Sequence, residues 1–163
     1  MTDHVVRAAL AGDAGDVARI WCQGWHDAHD GFVSPELVAA RADHTFLTRA
    51  NERWPDTLVG VGGNTIAGFV MVNANEVEQL YVAGDRRGTG VAAALLAAAE
   101  DLLSSRGFRQ AWLAVIPENV RARRFYDRCG WRDEGTFVYD AEFDGEQIGV
   151  PCRRYAKMLD GTA

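Results

Sequence analysis

The sequence predicts an α+β single domain, residues 1–163, built on a mixed, mostly antiparallel twisted sheet of about seven strands with helices on both faces. Three observations predict it. The chain has 163 residues, 48% of them hydrophobic, enough for one core that removes roughly two-thirds of the unfolded surface from water. Its apolar residues switch between alternating and helical spacing in the order strand, two helices, three strands, helix, strand, helix, two strands. Glycine-rich turns at Gly62-Gly63-Asn64 and Asp144-Gly145 mark antiparallel hairpins, because they tolerate the positive φ that short hairpin turns need.

Taken in order, His4 to Leu10 reads as the first strand. Asp13-Ala14-Gly15-Asp16 then opens a helix whose stripe of Val17, Ile20, Trp21 and Trp25 ends near Gly31. Ser34-Pro35-Glu36-Leu37 supplies a cap, a first-turn proline and an early carboxylate for a second helix running towards Ala50. Thr57 to Val61 and Ile66 to Val72 are β-branched and apolar, and Val77 to Val82 is a further strand. Gly88 to Ser105 is rich in alanine and leucine and reads as a helix, followed after Gly107 by a strand from Ala111 to Ile116. Asn119 to Cys129 is a helix with an asparagine cap and Gly130 as its stop. Gly135 to Phe143 and Ile148 to Met158 close the sheet as a final hairpin.

Composition narrows the function. Seventeen basic residues against 23 acidic ones give a net charge of −6, which disfavours nucleic acid as the main partner, since that binding is driven by neutralising phosphates. No apolar run is long enough to cross a bilayer, so no membrane partner is expected. Met1-Thr2-Asp3-His4 lacks a basic segment followed by an apolar one, so the expectation is no secretory signal and a cytoplasmic location. Cys22, Cys129 and Cys152 are odd in number and contain no CxxC pair, which argues against a disulfide framework and a zinc cluster. His26-x-x-His29 does not place three ligands on one helical face, so no metal is expected.

The segment carrying most chemical information runs from Val82 through Ala83-Gly84-Asp85-Arg86-Arg87-Gly88-Thr89-Gly90 into the alanine-rich helix. Successive backbone N–H groups around two glycines make a concave nest, and the helix dipole adds about half a positive charge there. Arg86 and Arg87 offer full charges for phosphate oxygens. A nucleotide-triphosphatase loop is excluded because the Gly-Lys-Ser/Thr ending is missing. Gly88-x-Gly90-x-x-Ala93 matches a short dinucleotide fingerprint, but about five residues separate it from the strand and hairpins flank the unit. An ordinary loop before a helix is the third reading.

Val77-Glu78-Gln79-Leu80-Tyr81-Val82 followed by Arg87-Gly88-Thr89-Gly90-Val91-Ala92 resembles motif A of the GNAT superfamily of N-acetyltransferases, whose pattern is Gln/Arg-x-x-Gly-x-Gly/Ala. Asn119 to Trp131, with its Phe125-Tyr126 pair and Gly130-Trp131, resembles motif B. The resemblance implies acetyl-coenzyme A as co-substrate. Its pyrophosphate would be held by the amides of Gly88, Thr89, Gly90, Val91 and Ala92 with Arg87 alongside, and its pantetheine arm by backbone groups of Leu80, Tyr81 and Val82. Asn119 would contact that arm as well as cap its helix.

The same resemblance implies direct attack by a primary amine in a ternary complex. An alkylammonium at pH 7 lies about 3.4 units below its pKa, so deprotonation costs about 4.6 kcal/mol. Glu78, on the strand bordering cofactor and acceptor, is the expected general base, with Glu76 as its rival. Tyr126 is the expected proton donor to the leaving thiolate, or else an aromatic packed beside Phe125. Trp25, His29 and Phe32, where the first helix ends, and Tyr139 on the late hairpin are candidates for the acceptor wall. The acceptor, a small molecule or peptide amine, stays open, as does a homodimer. The alternatives are a dinucleotide-binding oxidoreductase and a non-catalytic acyl-coenzyme A sensor on the same fold.

Overall fold

The computed structural model describes residues 4–143 and 145–160. Seven strands form one sheet in the order β1-β2-β3-β4-β5-β7-β6: β1 (Val5–Ala8), β2 (Thr57–Gly62), β3 (Thr65–Asn73), β4 (Glu76–Val82), β5 (Gln110–Val115), β6 (Arg132–Phe143) and β7 (Glu146–Met158). Every neighbouring pair is antiparallel except β4 and β5. The hairpins at Gly63-Asn64 and between β6 and β7 form as the turn residues predict, although Asp144 lies outside the described residues. No helix among the described residues is long and apolar enough to cross a membrane.

Among the described residues five α-helices cover the two faces: α1 (Ala14–His29), α2 (Pro35–Ala40), α3 (Asp43–Arg53), α4 (Val91–Ser105) and α5 (Val120–Arg128). On one face Trp21, Trp25, Leu37 and Phe46 of the first three helices pack on Phe69 and Met71; on the other, Leu95, Leu96 and Leu103 of α4 and Tyr126 of α5 pack on Val70 and Val72. The single helix expected from Ser34 to Ala50 is two. Ser34 caps α2 as read, its Oγ accepting from the Leu37 N–H at 3.3 Å. At Arg41, however, the carbonyl accepts from His26 Nε2 of α1 at 2.7 Å, and Ala42 swings to ψ 157° to start α3. A tertiary hydrogen bond thus replaces helix continuation, and no proline or glycine marks the place.

Two close approaches set helix positions. Gly60 and Gly68 are cross-strand partners, and a Cβ on Gly60 would come within 2.7 Å of Val91 Cγ2, one on Gly68 within 3.1 Å of Leu95 Cδ1. The start of α4 therefore sits directly on bare backbone. On the opposite face, a Cβ at Gly24 of α1 would overlap Tyr81 Cδ1 and stand 3.0 Å from its Cγ. Because that ring is wedged between α1 and the sheet, Gly24→Ala is expected to destabilise the fold by about 1–3 kcal/mol through overpacking; an unchanged urea midpoint would refute this close fit.

Candidate active site

Strands β4 and β5 share a single pair, Glu76 with Trp112, supported by a 3.1 Å bond from the Trp112 N–H to the Asn75 carbonyl. Beyond it they diverge. β4 continues on β3 and β5 on β7, so the two edges that face each other have no strand between them. The gap is a cavity of about 850 Å³ bordered by Glu76 to Tyr81 of β4, Leu113 to Ile116 along β5, and Asn119, Ala122 and Tyr126 of α5. An open strand edge offers unpaired N–H and C=O groups to any extended amide-bearing ligand.

Where β4 ends, a short 3₁₀ turn (Gly84–Arg86) leads to Gly88 and Gly90, at φ 78° and 89°. Both lie where residues with side chains are strained. Gly90 caps α4 with no side-chain hydrogen bond and no acidic residue follows in the first turn. The first helical bond runs from Ala94 to the Gly90 carbonyl at 3.1 Å, so the amides of Val91, Ala92 and Ala93 have no intrahelical acceptor. The loop is stapled in place: Thr89 Oγ1 donates to the Arg86 carbonyl at 2.6 Å, His4 Nε2 lies 3.0 Å from Thr89 Oγ1, and Arg86 donates to Thr65 Oγ1 at 2.7 Å. Arg86 is thereby turned away from the nest, whereas Arg87 makes only a half-exposed 3.5 Å pair with Asp27, of a kind worth little in water.

β4 carries a bulge that simple alternation does not foresee. Met71 pairs with Gln79 and Val72 with Val77, leaving Glu78 unmatched. Glu76, Gln79 and Tyr81 consequently share the face towards α1, and Val77, Leu80 and Val82 the face towards α4. The bulge separates the two candidate carboxylates by environment. Glu78 receives Arg53 Nη1 on both oxygens at 3.1 Å, and Arg53 Nη2 also donates to the Val72 carbonyl at 2.7 Å. Its charge is thus paired with a cation. Glu76 is buried and accepts one bond, from the Tyr139 hydroxyl at 2.9 Å. Burial pushes its pKa up to about 7; Tyr139 opposes that shift, and the Glu78 charge adds to it.

At the other end, Trp25, His29 and Tyr139 all border the cavity. His29 stacks on Trp25 with centroids 4.4 Å apart, and its Nδ1 donates to the Trp25 carbonyl at 2.7 Å. Burial lowers its pKa. Phe32 does not belong to this wall: the chain turns after His29 and leaves Phe32 55% exposed, outside the cavity lining. Val82, the last residue of β4, and the loop from Arg87 to Ala92 likewise lie outside the lining. On α5, the Asn119 side chain accepts from the Ala122 N–H at 3.2 Å, and Tyr126 is 9% exposed; burial raises the pKa of its hydroxyl.

Three arginines on this wall, Arg41, Arg49 and Arg53, were missed in the sequence. Arg41 follows α2, while the other two belong to α3, with no motif linking them. Cys152 also borders the cavity, and burial lifts its thiol to about 11, which keeps it protonated and a poor nucleophile. Among the described residues no group of three or more His, Cys, Asp or Glu could hold a metal ion. The dinucleotide alternative finds no support, because the loop joins a sheet with one parallel pair and not the parallel sheet that such a fold requires.

Comparison with known proteins agrees with this geometry. The sequence profile of the acetyltransferase (GNAT) family matches residues 17–131. An uncharacterized N-acetyltransferase of Mycobacterium tuberculosis is 29% identical over 137 residues, 78% of this chain and 88% of that protein. A GCN5-related N-acetyltransferase from Rhodopseudomonas palustris superposes with a TM-score of 0.74 at 20% identity, covering 98% of each chain. The protein yncA from Salmonella typhimurium, solved with its cofactor acetyl-CoA, gives 0.72 at 16% identity, covering 99% of this chain and 97% of that one. By its sequence profile, its splayed parallel pair and its glycine nest, the chain belongs to the GNAT family of acetyltransferases.

Proposed function

We propose that the protein transfers an acetyl group, or a short acyl relative, from acetyl-coenzyme A to a primary amine by direct attack in a ternary complex. The observation that carries this is the divergence of β4 from β5 after one pair, which opens a slot for a pantetheine arm running from the uncapped start of α4 into the cavity. The amides of Gly88 to Ala92, with Arg87 once it leaves Asp27, would hold the pyrophosphate; the open edge of β4 at Leu80, Tyr81 and Val82 would take the pantetheine amides, and Asn119 would border that arm. When bound, the cofactor supplies an activated thioester.

Glu76 is the better placed base. A carboxyl near pKa 7 is about half ionised at neutral pH, the condition under which a general base works best. Glu78 and Arg53 would fix its surroundings, with Glu78 reaching the ammonium through water. A backbone N–H near Leu80 would meet the oxyanion. Tyr126 keeps its proton, and since its raised pKa makes full transfer to a thiolate uphill, its hydroxyl serves chiefly as a hydrogen-bond donor to the leaving sulfur. The protonated Cys152 thiol argues against a covalent acyl-enzyme. A reducing cytoplasmic setting fits the three free cysteines.

The test is thiol release from acetyl-coenzyme A in the presence of a broad amine panel. Release that depends on an amine is expected. Cofactor binding without turnover on any amine would leave the sensor reading in its place.

A further inference from the structure

Resting on the acetyl-transfer reading, we propose that the acceptor is a small zwitterion, an amine carrying a carboxylate a few bonds away as in a free amino acid, and that Arg41 and Arg49 hold the carboxylate. Arg41 is 8% exposed and borders the cavity. Its Nε is buried with no hydrogen-bond partner, and among the described residues the guanidinium forms no ion pair. Its guanidinium carbon lies 5.9 Å from the centre of the Trp25 ring. Burying an unpaired charge is strongly unfavourable, so a folded protein keeps one only where something else completes it.

Arg49 stands on the same wall. It stacks over Trp21 at 4.4 Å and likewise has no carboxylate within ion-pair distance among the described residues. Burial and the charge of Arg49 lower the pKa of Arg41, which places the two guanidiniums within electrostatic reach of each other. The third arginine, Arg53, is already neutralised by Glu78. The remaining carboxylates around the opening, Glu52, Asp140 and Glu142, are exposed to water, where solvent screens them.

The cavity therefore has two poles. One is a pair of guanidiniums with no ion pair among the described residues, on which Glu142 and Glu78 act only at longer range; the other is the buried carboxyl of Glu76, since the neighbouring Glu78 is paired with Arg53. A guanidinium presents a planar fork that matches a carboxylate with two parallel hydrogen bonds. A zwitterion satisfies both poles at once, presenting its carboxylate to the arginines and its ammonium to Glu76, and so brings the nitrogen to the base. A plain alkylamine would leave the arginines unpaired. A peptide N-terminus, whose α-carboxylate is consumed in an amide bond, would do the same.

The experiment uses the full chain, acetyl-coenzyme A and thiol release, with each L-amino acid run beside its carboxamide and its decarboxylated amine. For at least one amino acid, kcat/KM is expected to exceed that of its carboxamide by roughly 100-fold, mostly through KM, and Arg41→Met or Arg49→Met is expected to bring the ratio to about 10-fold or less. Arg49 is the less buried of the two, so Arg49→Met decides the matter if Arg41→Met does not fold. Carboxamides or decarboxylated amines used as well as the acids, or a ratio that survives both substitutions, would overturn the zwitterion while leaving acetyl transfer intact. Silence with every amine, from protein that binds acetyl-coenzyme A, would overturn both.

Discussion

Replacing Glu76 by glutamine is expected to lower kcat/KM for the best amine by roughly 100-fold or more, the usual contribution of a positioned base. The pH profile is the sharper readout. As the proposed base, Glu76 would act when ionised, and burial and the neighbouring Glu78 push its pKa up to about 7. Activity of the native protein should accordingly rise as pH increases through about 7 and should be small two units lower. In Glu76→Gln that limb disappears, leaving only the rise set by the amine's own deprotonation at about pH 10. Glutamine keeps an oxygen for the Tyr139 hydroxyl to donate to, so the wall should stand. A limb that persists in Glu76→Gln and vanishes in Glu78→Gln would return the role to Glu78.

The second large effect is expected in the glycine nest. Gly90 holds φ 89°, and a Cβ there would meet no protein atom within 4 Å. Gly90→Val is thus not a packing change. A β-branched residue is disfavoured at that φ by about 1–2 kcal/mol, which pulls the loop away from the shape that aims the first amides of α4 outward. The affinity for acetyl-coenzyme A should fall by roughly 10- to 100-fold, the lower figure from strain alone at about 1.4 kcal/mol per decade, the higher with a side chain intruding on the phosphates. Calorimetry with the purified variant measures this directly. Unchanged affinity would mean that the cofactor is not gripped by these amides.

Much of the architecture was legible because its signals are local. The asparagine cap at Asn119, the Ser34 cap of α2, and the glycine hairpin after β2 form as read, each decided within a few residues of chain. The break between α2 and α3 was not legible, because it depends on His26, 15 residues away, capturing the Arg41 carbonyl. Phe32 misled for a related reason: closeness in sequence to Trp25 and His29 did not carry it past the turn that ends α1.

What the sequence by itself determined is the order of the strands, the helices other than the α2–α3 pair, the glycine turn ahead of α4 and the family, all of which follow from periodicity, turn residues and two motifs of fixed spacing. Only the tertiary structure decided the surroundings of the two carboxylates and which side chains line the cavity. Those properties belong to charges and burial brought together across the chain: Arg53 with Glu78, Tyr139 with Glu76, and Arg41 and Arg49 without an ion pair among the described residues. Electrostatics acts through space, and a one-dimensional pattern does not record it.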